Sequence, residues 1–444
     1  MKLTKNKIFL SVIIFGGIIL MASCNKKPET KKDAEVKNVN SVQVLTEAKP
    51  VETPVQNASE PDEKIFKGFD LSKSLYRKGN NYRIKKTISK IKNGEDVYVA
   101  SIGGSITEGE CGAGKDFHEG YAYIFPKLLQ GTFAPGKENV HCHVAGVSGT
   151  PSPLGLVRYK KDIVDALGRT PDILVIEFSV NDWLECTNTG AYEQLIREVL
   201  ESNDESAVIA LYSVASYGNQ KDAVSPVASY YNIQEVDMTS AKTITGYWTN
   251  DKIHPSVLGH SIMAQSLLYL MKEIDKDNEN TKLALPAAYK NSGNGKVNFS
   301  GYTPLLYGDE KNNADITSWN VGSFSENNGV TQGLKVGGTS FPKNWTHTSG
   351  TEPLSMTINC KNMIVAFKNN GCGKAEVFID GVKAEFKAGD KMSTVLDGGT
   401  SNWNNVSTIL LFNEEVSAKH KIEIRMAEGD EEKPFTICGF GYSK

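Results

Sequence analysis

Four features are absent from this 444-residue sequence, and the first two absences each exclude a class of protein. It has no basic excess, because 49 Lys and Arg stand against 52 Asp and Glu; a formal charge of −3 argues against nucleic acid as the main partner. None of its seven cysteines forms a C-x-x-C pair, which excludes a zinc ribbon or a thioredoxin-type motif. It has no internal repeat and no second long apolar run. A hydrophobic content of 39% fits a globular protein, and a chain of 444 residues is too long for one ordinary core, which predicts two domains.

The first 24 residues predict an export signal rather than part of the fold. Three lysines precede an apolar run over residues 8–21, which is short for a membrane span. The run ends in Leu-Met-Ala-Ser-Cys, which resembles a bacterial lipobox, with cleavage before Cys24 and lipidation of that cysteine; the alternative is an ordinary secretory signal. We expect a signal over 1–23, a flexible polar tether over 24–65, and a protein anchored by lipid at the bacterial cell surface.

Residues 66–275 alternate between strand and helix patterns, which favours a doubly wound α/β domain with a parallel sheet. Runs typical of buried strands cover 97–102, 140–144, 172–178 and 207–212. Apolar residues three and four apart predict helices over 84–93, 121–129, 156–167, 192–200 and 263–274.

After residue 275 the pattern changes. Residues 276–296 are crowded with Asp, Asn, Lys and Gly and predict a linker. Beyond them, Asp380-Gly381 between two apolar runs is typical of a two-residue β-hairpin turn. Residues 297–444 therefore predict a β-sandwich, with strands over 375–379, 382–386, 409–412 and 422–426.

The strand over 97–102 leads into Gly103-Gly104-Ser105. Two glycines permit a sharp turn, and a serine on that turn is lifted out of the sheet. Open α/β sheets bind ligands at the carboxyl ends of their strands, which is where Ser105 is expected. Ser105 is therefore a candidate nucleophile.

A serine hydroxyl needs a base to take its proton, and the base needs a partner that orients it. Asp251 and His254 lie three residues apart on one loop, so the carboxylate can orient the imidazole and stabilise its protonated form. Attack on an ester carbonyl also requires donors aimed at the developing oxyanion. The backbone N–H of Ser105, the glycine that ends the next strand (Gly146) and the amide of Asn181 are the candidates.

The order of these motifs resembles that of the SGNH, or GDSL-type, hydrolase family over about residues 82–274. Carried over, the resemblance makes Ser105 the nucleophile, Gly146 and Asn181 oxyanion donors together with the Ser105 N–H, His254 the general base and Asp251 its orienter. It implies a flavodoxin-like three-layer α/β domain, here followed by a β-sandwich of jelly-roll type, and a reaction without metal or cofactor.

The sequence departs from the family pattern at two positions. The family usually has an aspartate before the serine, where this chain has Gly104, and a glycine two residues before the asparagine, where this chain has Ser179. The Gly-Gly-Ser-Ile-Thr variant resembles SGNH proteins that act on carbohydrates. The second departure leaves the amide donor in place.

Two other motifs point elsewhere and are weaker. Residues 109–115 match a phosphate loop, but Asp116 stands where Ser or Thr would bind magnesium, and its charge would repel phosphate. His141 and His143 flank a cysteine in a strand pattern, and with no second cluster a metal site is not expected. The Gly-x-Ser-x-Gly elbow of ordinary α/β hydrolases is absent from the sequence.

Four tryptophans are candidates for substrate binding, since sugar faces stack on aromatic rings. Trp183 and Trp248 lie near Asn181 and Asp251 in sequence, whereas Trp345 and Trp403 lie in polar stretches of the second half and are expected to be exposed. Packing in the core is the alternative for each.

Together these features predict a surface-anchored esterase that removes O-acetyl groups from a plant or cell-surface polysaccharide of the mannan or xylan type. The combination of the two domains resembles that of two-domain bacterial carbohydrate acetylesterases. The alternatives are a lipase- or thioesterase-like hydrolase of other esters, and a sugar-binding lipoprotein with a vestigial hydrolase domain. A polysaccharide or small ester and the membrane, through the lipid on Cys24, are the expected partners.

Overall fold

The amino-terminal half of the protein is built on a six-stranded sheet. The computed structural model describes residues 64–182, 186–289, 296–330, 341–401 and 406–444, so the predicted signal peptide and Cys24 lie outside the described residues. The strands described in this half are β1 (Ile65–Phe66), β2 (Phe69–Asp70), β3 (Leu75–Arg77), β4 (Val97–Gly103), β5 (Val140–Gly146), β6 (Ile173–Glu177), β7 (Ala207–Tyr212) and β8 (Gln234–Asp237).

The sheet has the order β3-β8-β7-β6-β4-β5, and every pairing is parallel except that of the edge strand β3 with β8. Counted from β4, the five parallel strands run 2-1-3-4-5, the order of the flavodoxin-like fold. The predicted α/β class and topology are confirmed. The carboxyl ends of β4, β5 and β6 lie side by side at one edge of the sheet.

Helices cover both faces of this sheet and complete three layers. They are α1 (Tyr82–Asn93), α2 (Ser105–Glu108), α3 (Tyr121–Phe133), α4 (Ser152–Tyr159, continued by a π-helical stretch Lys160–Asp165), α5 (Cys186–Ser202), α6 (Lys221–Tyr230) and α7 (Val257–Lys276). Alternate strand residues point to opposite faces, so Val97 and Val99 pack with α1, α3 and α7, whereas Ala100 and Ile102 pack with α4, α5 and α6. None of the described helices is long and apolar enough to cross a membrane.

The strands β3 and β8 and the helix α6 are not predicted from the sequence. The segment Gln234–Asp237 contains a single apolar residue, yet it is buried along its length. Its polar groups are satisfied by tertiary contacts: Gln234 donates to two carbonyls, and Glu235 accepts from Tyr212 and Ser225. A strand of this kind carries no hydrophobic pattern and therefore no signal in the sequence.

The carboxyl-terminal half is a curled antiparallel sheet of ten strands with a separate two-stranded ribbon, β16 and β17, which agrees with the predicted all-β domain. The described strands are β9 (Tyr302–Leu305), β10 (Ile316–Asn320), β11 (Phe324–Val330), β12 (Phe341–His347), β13 (Leu354–Lys368), β14 (Lys374–Ile379), β15 (Val382–Lys383), β16 (Phe386–Ala388), β17 (Lys391–Ser393), β18 (Val395–Asp397), β19 (Val406–Met426) and β20 (Phe435–Ser443).

The hairpin predicted at Asp380-Gly381 is confirmed, because Ile379 pairs with Val382 and both turn residues have positive φ. The strands predicted over 409–412 and 422–426 are instead parts of one strand, β19. Its ladder with β13 is interrupted by a bulge, and the intervening residues are polar and largely exposed, which explains why the sequence suggests a break.

Strand β13 joins the two halves because both of its faces are buried. Met363, Val365 and Phe367 face the core of the carboxyl-terminal sheet. Ile364 and Ala366 face the other way and belong to the same apolar cluster as Leu154 and Val157 of α4 and its neighbours. The described residues of both halves accordingly form one compact unit.

Candidate active site

The turn between β4 and α2 depends on glycines that let other groups approach the backbone closely. A Cβ atom on Gly103 would lie 2.1 Å from Thr107 Oγ1 and 2.3 Å from the Glu177 carbonyl oxygen. A Cβ atom on Gly104 would lie 2.1 Å from Asn181 Oδ1. A side chain at position 104 would therefore require Asn181 to move from its present place.

The structure brings Ser105, His254 and Asp251 together from distant parts of the chain. Ser105 begins α2, and its Oγ lies 2.7 Å from His254 Nε2. The other ring nitrogen, Nδ1, lies 2.7 Å from Asp251 Oδ2. Because an ionised carboxylate only accepts, Nδ1 carries the proton and Nε2 is left to accept from the serine hydroxyl. This is the arrangement that general-base activation of a serine requires.

The second oxygen of Asp251 holds its own loop in place. Oδ1 accepts from the backbone N–H groups of Ile253 at 2.7 Å and His254 at 2.9 Å, and from the Thr249 hydroxyl at 2.8 Å. Burial opposes ionisation of Asp251, but the hydrogen bonds from His254, Ile253 and Thr249 outweigh it and lower the pKa of this carboxyl well below its usual range. The orienting group is therefore charged at neutral pH.

The predicted oxyanion donors lie at the ends of three adjacent strands. The N–H of Ser105 is in the first turn of α2, where backbone N–H groups have no partner within the helix. Gly146 ends β5 directly opposite Gly103, and a Cβ there would lie 2.1 Å from the backbone nitrogen of Glu108. Asn181 lies in the loop after β6, and its side-chain oxygen has no hydrogen-bond partner among the described residues.

The predicted tryptophans have different outcomes. Trp248 is half-buried beside the catalytic loop; it pairs with Pro255, and its indole N–H donates to the Val214 carbonyl at 3.3 Å. The prediction of an exposed Trp345 is wrong: this residue is 0% exposed in β12, so it cannot stack on a sugar. Trp183 and Trp403 lie outside the described residues.

Trp345 is buried because its strand lies between β11 and β20 and its side chain belongs to the core of the carboxyl-terminal sheet. It pairs with Ile437 of β20, and its ring lies 5.2 Å from that of Trp319 and 5.9 Å from that of Phe440, measured between centroids. The polar residues that precede it in sequence gave the opposite expectation, because strand pairing at a separation of 92 positions leaves no local trace.

The histidines outside the catalytic loop are engaged in structural contacts. His260 is fully buried, not on a helix surface; it accepts from the Tyr121 N–H through Nδ1 at 3.1 Å and donates to the Glu110 carbonyl through Nε2 at 3.0 Å. Burial lowers the pKa of His260 to about 4, so it is neutral. His141 contacts Asp96 and His143 contacts the Asp162 carbonyl, and the described residues contain no cluster suited to a metal ion.

Two buried ionisable residues beneath the catalytic turn were not predicted from the sequence. Arg158 is 0% exposed, donates to the Gly103 carbonyl at 3.0 Å, and pairs with Asp162. Glu177 ends β6 and accepts from Thr107 Oγ1 at 3.2 Å and from the hydroxyl of Ser213. The only sequence signal for Glu177 is an acidic residue within an otherwise apolar strand.

The buried carboxyl group of Glu177 should make the stability of the folded protein depend on pH. Burial, which outweighs its hydrogen bonds, raises the pKa of Glu177 to about 7, whereas the unfolded chain has the ordinary value of 4.5. Between these values the native protein holds a proton that the unfolded chain has released, so this group lowers the free energy of unfolding as pH rises, by up to about 1.4 kcal/mol per pH unit, and has no further effect above about pH 7. In Glu177→Gln, denaturant unfolding should lose this part of the pH dependence. If the free energy of unfolding depends on pH in the same way for both proteins between pH 5 and 7, this prediction is contradicted.

The comparisons with known proteins concern the family and the fold. Residues 101–262 match the model of the GDSL-like Lipase/Acylhydrolase family. Among solved structures, the chain is similar to a two-domain esterase (CEX) active on acetylated mannans, with a TM-score of 0.67 and 22% identity over 84% of this chain and 98% of that one. The same esterase co-crystallised with mannopentaose gives a TM-score of 0.65 and 23% identity over the same shares. A search of curated proteins finds no match.

The likeness in fold extends over both halves of the chain, whereas the family match is confined to the part that carries Ser105, Asn181 and His254. Residues 101–262 therefore carry a GDSL-like, or SGNH, hydrolase domain, and the protein is a carboxylic ester hydrolase.

Proposed function

We propose that this enzyme removes O-acetyl groups from an acetylated polysaccharide of the mannan or xylan type through an acyl-enzyme on Ser105. The observation that carries the ester chemistry is the hydrogen-bonded series from Ser105 Oγ through His254 to Asp251. The preference for acetylated sugar is supported by the likeness in fold, over both halves, to an esterase active on acetylated mannans.

In the first half-reaction, Ser105 Oγ attacks the acetyl carbonyl carbon while His254 Nε2 takes the hydroxyl proton. The tetrahedral oxyanion is stabilised by donors from the Ser105 and Gly146 N–H groups and the Asn181 amide. The C–O bond to the sugar then breaks, and His254 returns its proton to the departing sugar oxygen. This leaves acetyl-Ser105 and a free sugar hydroxyl.

In the second half-reaction, water attacks the acetyl-Ser105 carbonyl as His254 takes a proton from it. The new tetrahedral intermediate collapses, acetate leaves, and the proton returns to Ser105 Oγ. His254 both takes and gives the proton in each half-reaction, so these steps balance with no cofactor.

A cleft between the two halves supports a polymeric substrate. Its volume is about 370 Å³, and it is lined on one side by Gly149 and Pro151, which follow the oxyanion glycine Gly146. The other side is formed by strands and turns of the carboxyl-terminal half, including the hydroxyl-bearing Ser393 and Thr408. Mixed apolar and hydroxyl linings of this kind suit sugar rings, which present both C–H and O–H groups.

The experiment measures acetate released from 4-nitrophenyl acetate and from acetylated mannan and xylan, with wild type and Ser105→Ala. We expect release from all three substrates by the wild type and its loss in the variant. Hydrolysis of long acyl esters without release from the acetylated polysaccharides would contradict the proposed substrate class. Equal rates for both proteins would contradict the proposed nucleophile.

A polysaccharide substrate is reached by the enzyme outside the cell, and we propose that a lipid on Cys24 anchors the enzyme there. The support is the sequence over residues 20–24. Recovery of both wild type and Cys24→Ser in the soluble fraction of the native host would contradict this anchor.

A further inference from the structure

An exposed tyrosine lies on a loop that is hydrogen-bonded to two segments of the catalytic site. Residues 213–220 follow β7 at the carboxyl edge of the sheet. The loop is bonded to the catalytic loop, because the Ser216 N–H donates to the Lys252 carbonyl at 2.8 Å. It is also bonded to the segment that carries Asn181, because the Gln220 N–H donates to the Ser179 carbonyl at 2.8 Å.

The tip of this loop has a well-defined conformation. Ala215 and Gly218 exchange backbone hydrogen bonds of 3.1 and 2.9 Å across a tight turn, and Gly218 has a φ of +112° that favours glycine. The side-chain amide of Asn219 donates to the Ser213 carbonyl at 2.8 Å, which closes the base of the loop. The turn is thus fixed by its own contacts.

Tyr217 occupies this tip with 65% of its surface exposed. Its hydroxyl donates to the Val180 carbonyl at 3.3 Å, one residue before Asn181. The ring is therefore held at its backbone and at its hydroxyl end while much of it stays open to solvent. Single exposed apolar residues are common on protein surfaces and need no role. An exposed ring tethered to both the Asn181 segment and the catalytic loop is a different case.

We propose that the ring of Tyr217 is a stacking platform for a sugar ring of the substrate, next to the acetyl group that reacts at Ser105. This inference rests on the proposed function. A pyranose ring has one face rich in C–H groups, which packs favourably on an aromatic face. Because the tyrosine is already held in position, little side-chain freedom is lost when the sugar binds.

The test compares variants of Tyr217 in the full chain, with acetylated mannan and xylan oligosaccharides and a short alkyl acetate that has no ring. In Tyr217→Ala we expect KM for the oligosaccharides to rise about tenfold, while kcat/KM for the alkyl acetate changes by no more than about twofold. Tyr217→Phe keeps the ring and should retain most of the oligosaccharide affinity. Tyr217→Leu keeps apolar bulk without a flat face and should resemble Tyr217→Ala.

Tyr230 offers a matched control, because it is also an exposed tyrosine, at 41%, but it ends α6 as that helix leads to the opposite edge of the sheet. Tyr230→Ala should leave both substrates unaffected. If the wild type deacetylates the oligosaccharides and Tyr217→Ala does so with unchanged KM, the platform is overturned and the proposed function stands. If the wild type hydrolyses the alkyl acetate but no acetylated sugar, the proposed function fails and the platform fails with it. An equal loss on both substrates would assign Tyr217 a structural role and also overturn the platform.

Discussion

Replacing Ser105 with alanine is expected to lower kcat for ester hydrolysis by about 10⁴- to 10⁶-fold. The Ser105 hydroxyl lies 2.7 Å from His254 Nε2, which can take its proton, and without this hydroxyl the acyl-enzyme on Ser105 cannot form. His254→Ala should lose about as much, because an unactivated serine is a poor nucleophile. The double variant should lose little more than either single variant, since the two side chains act as one unit.

The measurement is kcat and KM for 4-nitrophenyl acetate in the four proteins, with the melting temperature as a check on folding. His118→Ala is the matched control, because His118 also pairs with a carboxylate, Asp116, at 2.8 Å but lies at the surface and is not bonded to Ser105. It should keep full activity. Losses that multiply in the double variant would show that Ser105 and His254 act independently and would contradict the mechanism.

Asp251→Asn is expected to lower kcat by about 10⁴-fold with little change in KM. Asparagine can still accept the backbone N–H groups of Ile253 and His254, so the loop should keep its shape. Its amide group can face His254 Nδ1 as a donor, however, and the imidazole would then carry its proton on Nε2, where it cannot accept from Ser105. The loss should come from this change of tautomer.

Because the hydrogen bonds on Asp251 hold its pKa far below neutrality, the wild type keeps this carboxylate ionised throughout the range in which an esterase is assayed. Protonation of Asp251 therefore makes no contribution to any fall in rate between pH 5 and 8. Asp116→Asn provides the control, since it alters the surface pair without touching the catalytic loop. A loss in Asp251→Asn that is expressed mainly in KM would contradict the orienting role.

The parts of the site that could be predicted are those with a local signal. Gly103-Gly104-Ser105 combines two small residues and a hydroxyl at the end of an apolar strand, and Asp251 and His254 share one loop. Chain order then fixes the rest, because right-handed crossovers in a parallel sheet bring the ends of successive strands to the same edge. That is why the three loops that carry Ser105, Gly146 and Asn181 could be expected to meet.

The parts that could not be predicted depend on contacts between distant segments. Glu177 is bonded to Ser213 because β6 and β7 are neighbours in the sheet, and Arg158 reaches Gly103 from α4, 55 positions later in the chain. The position of Tyr217 beside the catalytic loop depends on the hydrogen bond between its own loop and Lys252. In each case the residue type and the local sequence pattern are ordinary, so the role of the residue is seen only in the tertiary structure.

The two-sided burial of β13 limits how this enzyme can be recombined. A hydrolase half that was separated from its companion would leave the cluster around Leu154 and Val157 open to water on the side where Ile364 and Ala366 now pack. Replacing the carboxyl-terminal half with an unrelated domain would succeed only if that domain presented an apolar strand of the same shape at that place. Substitutions on one face of β13 are therefore constrained by the packing of its other face.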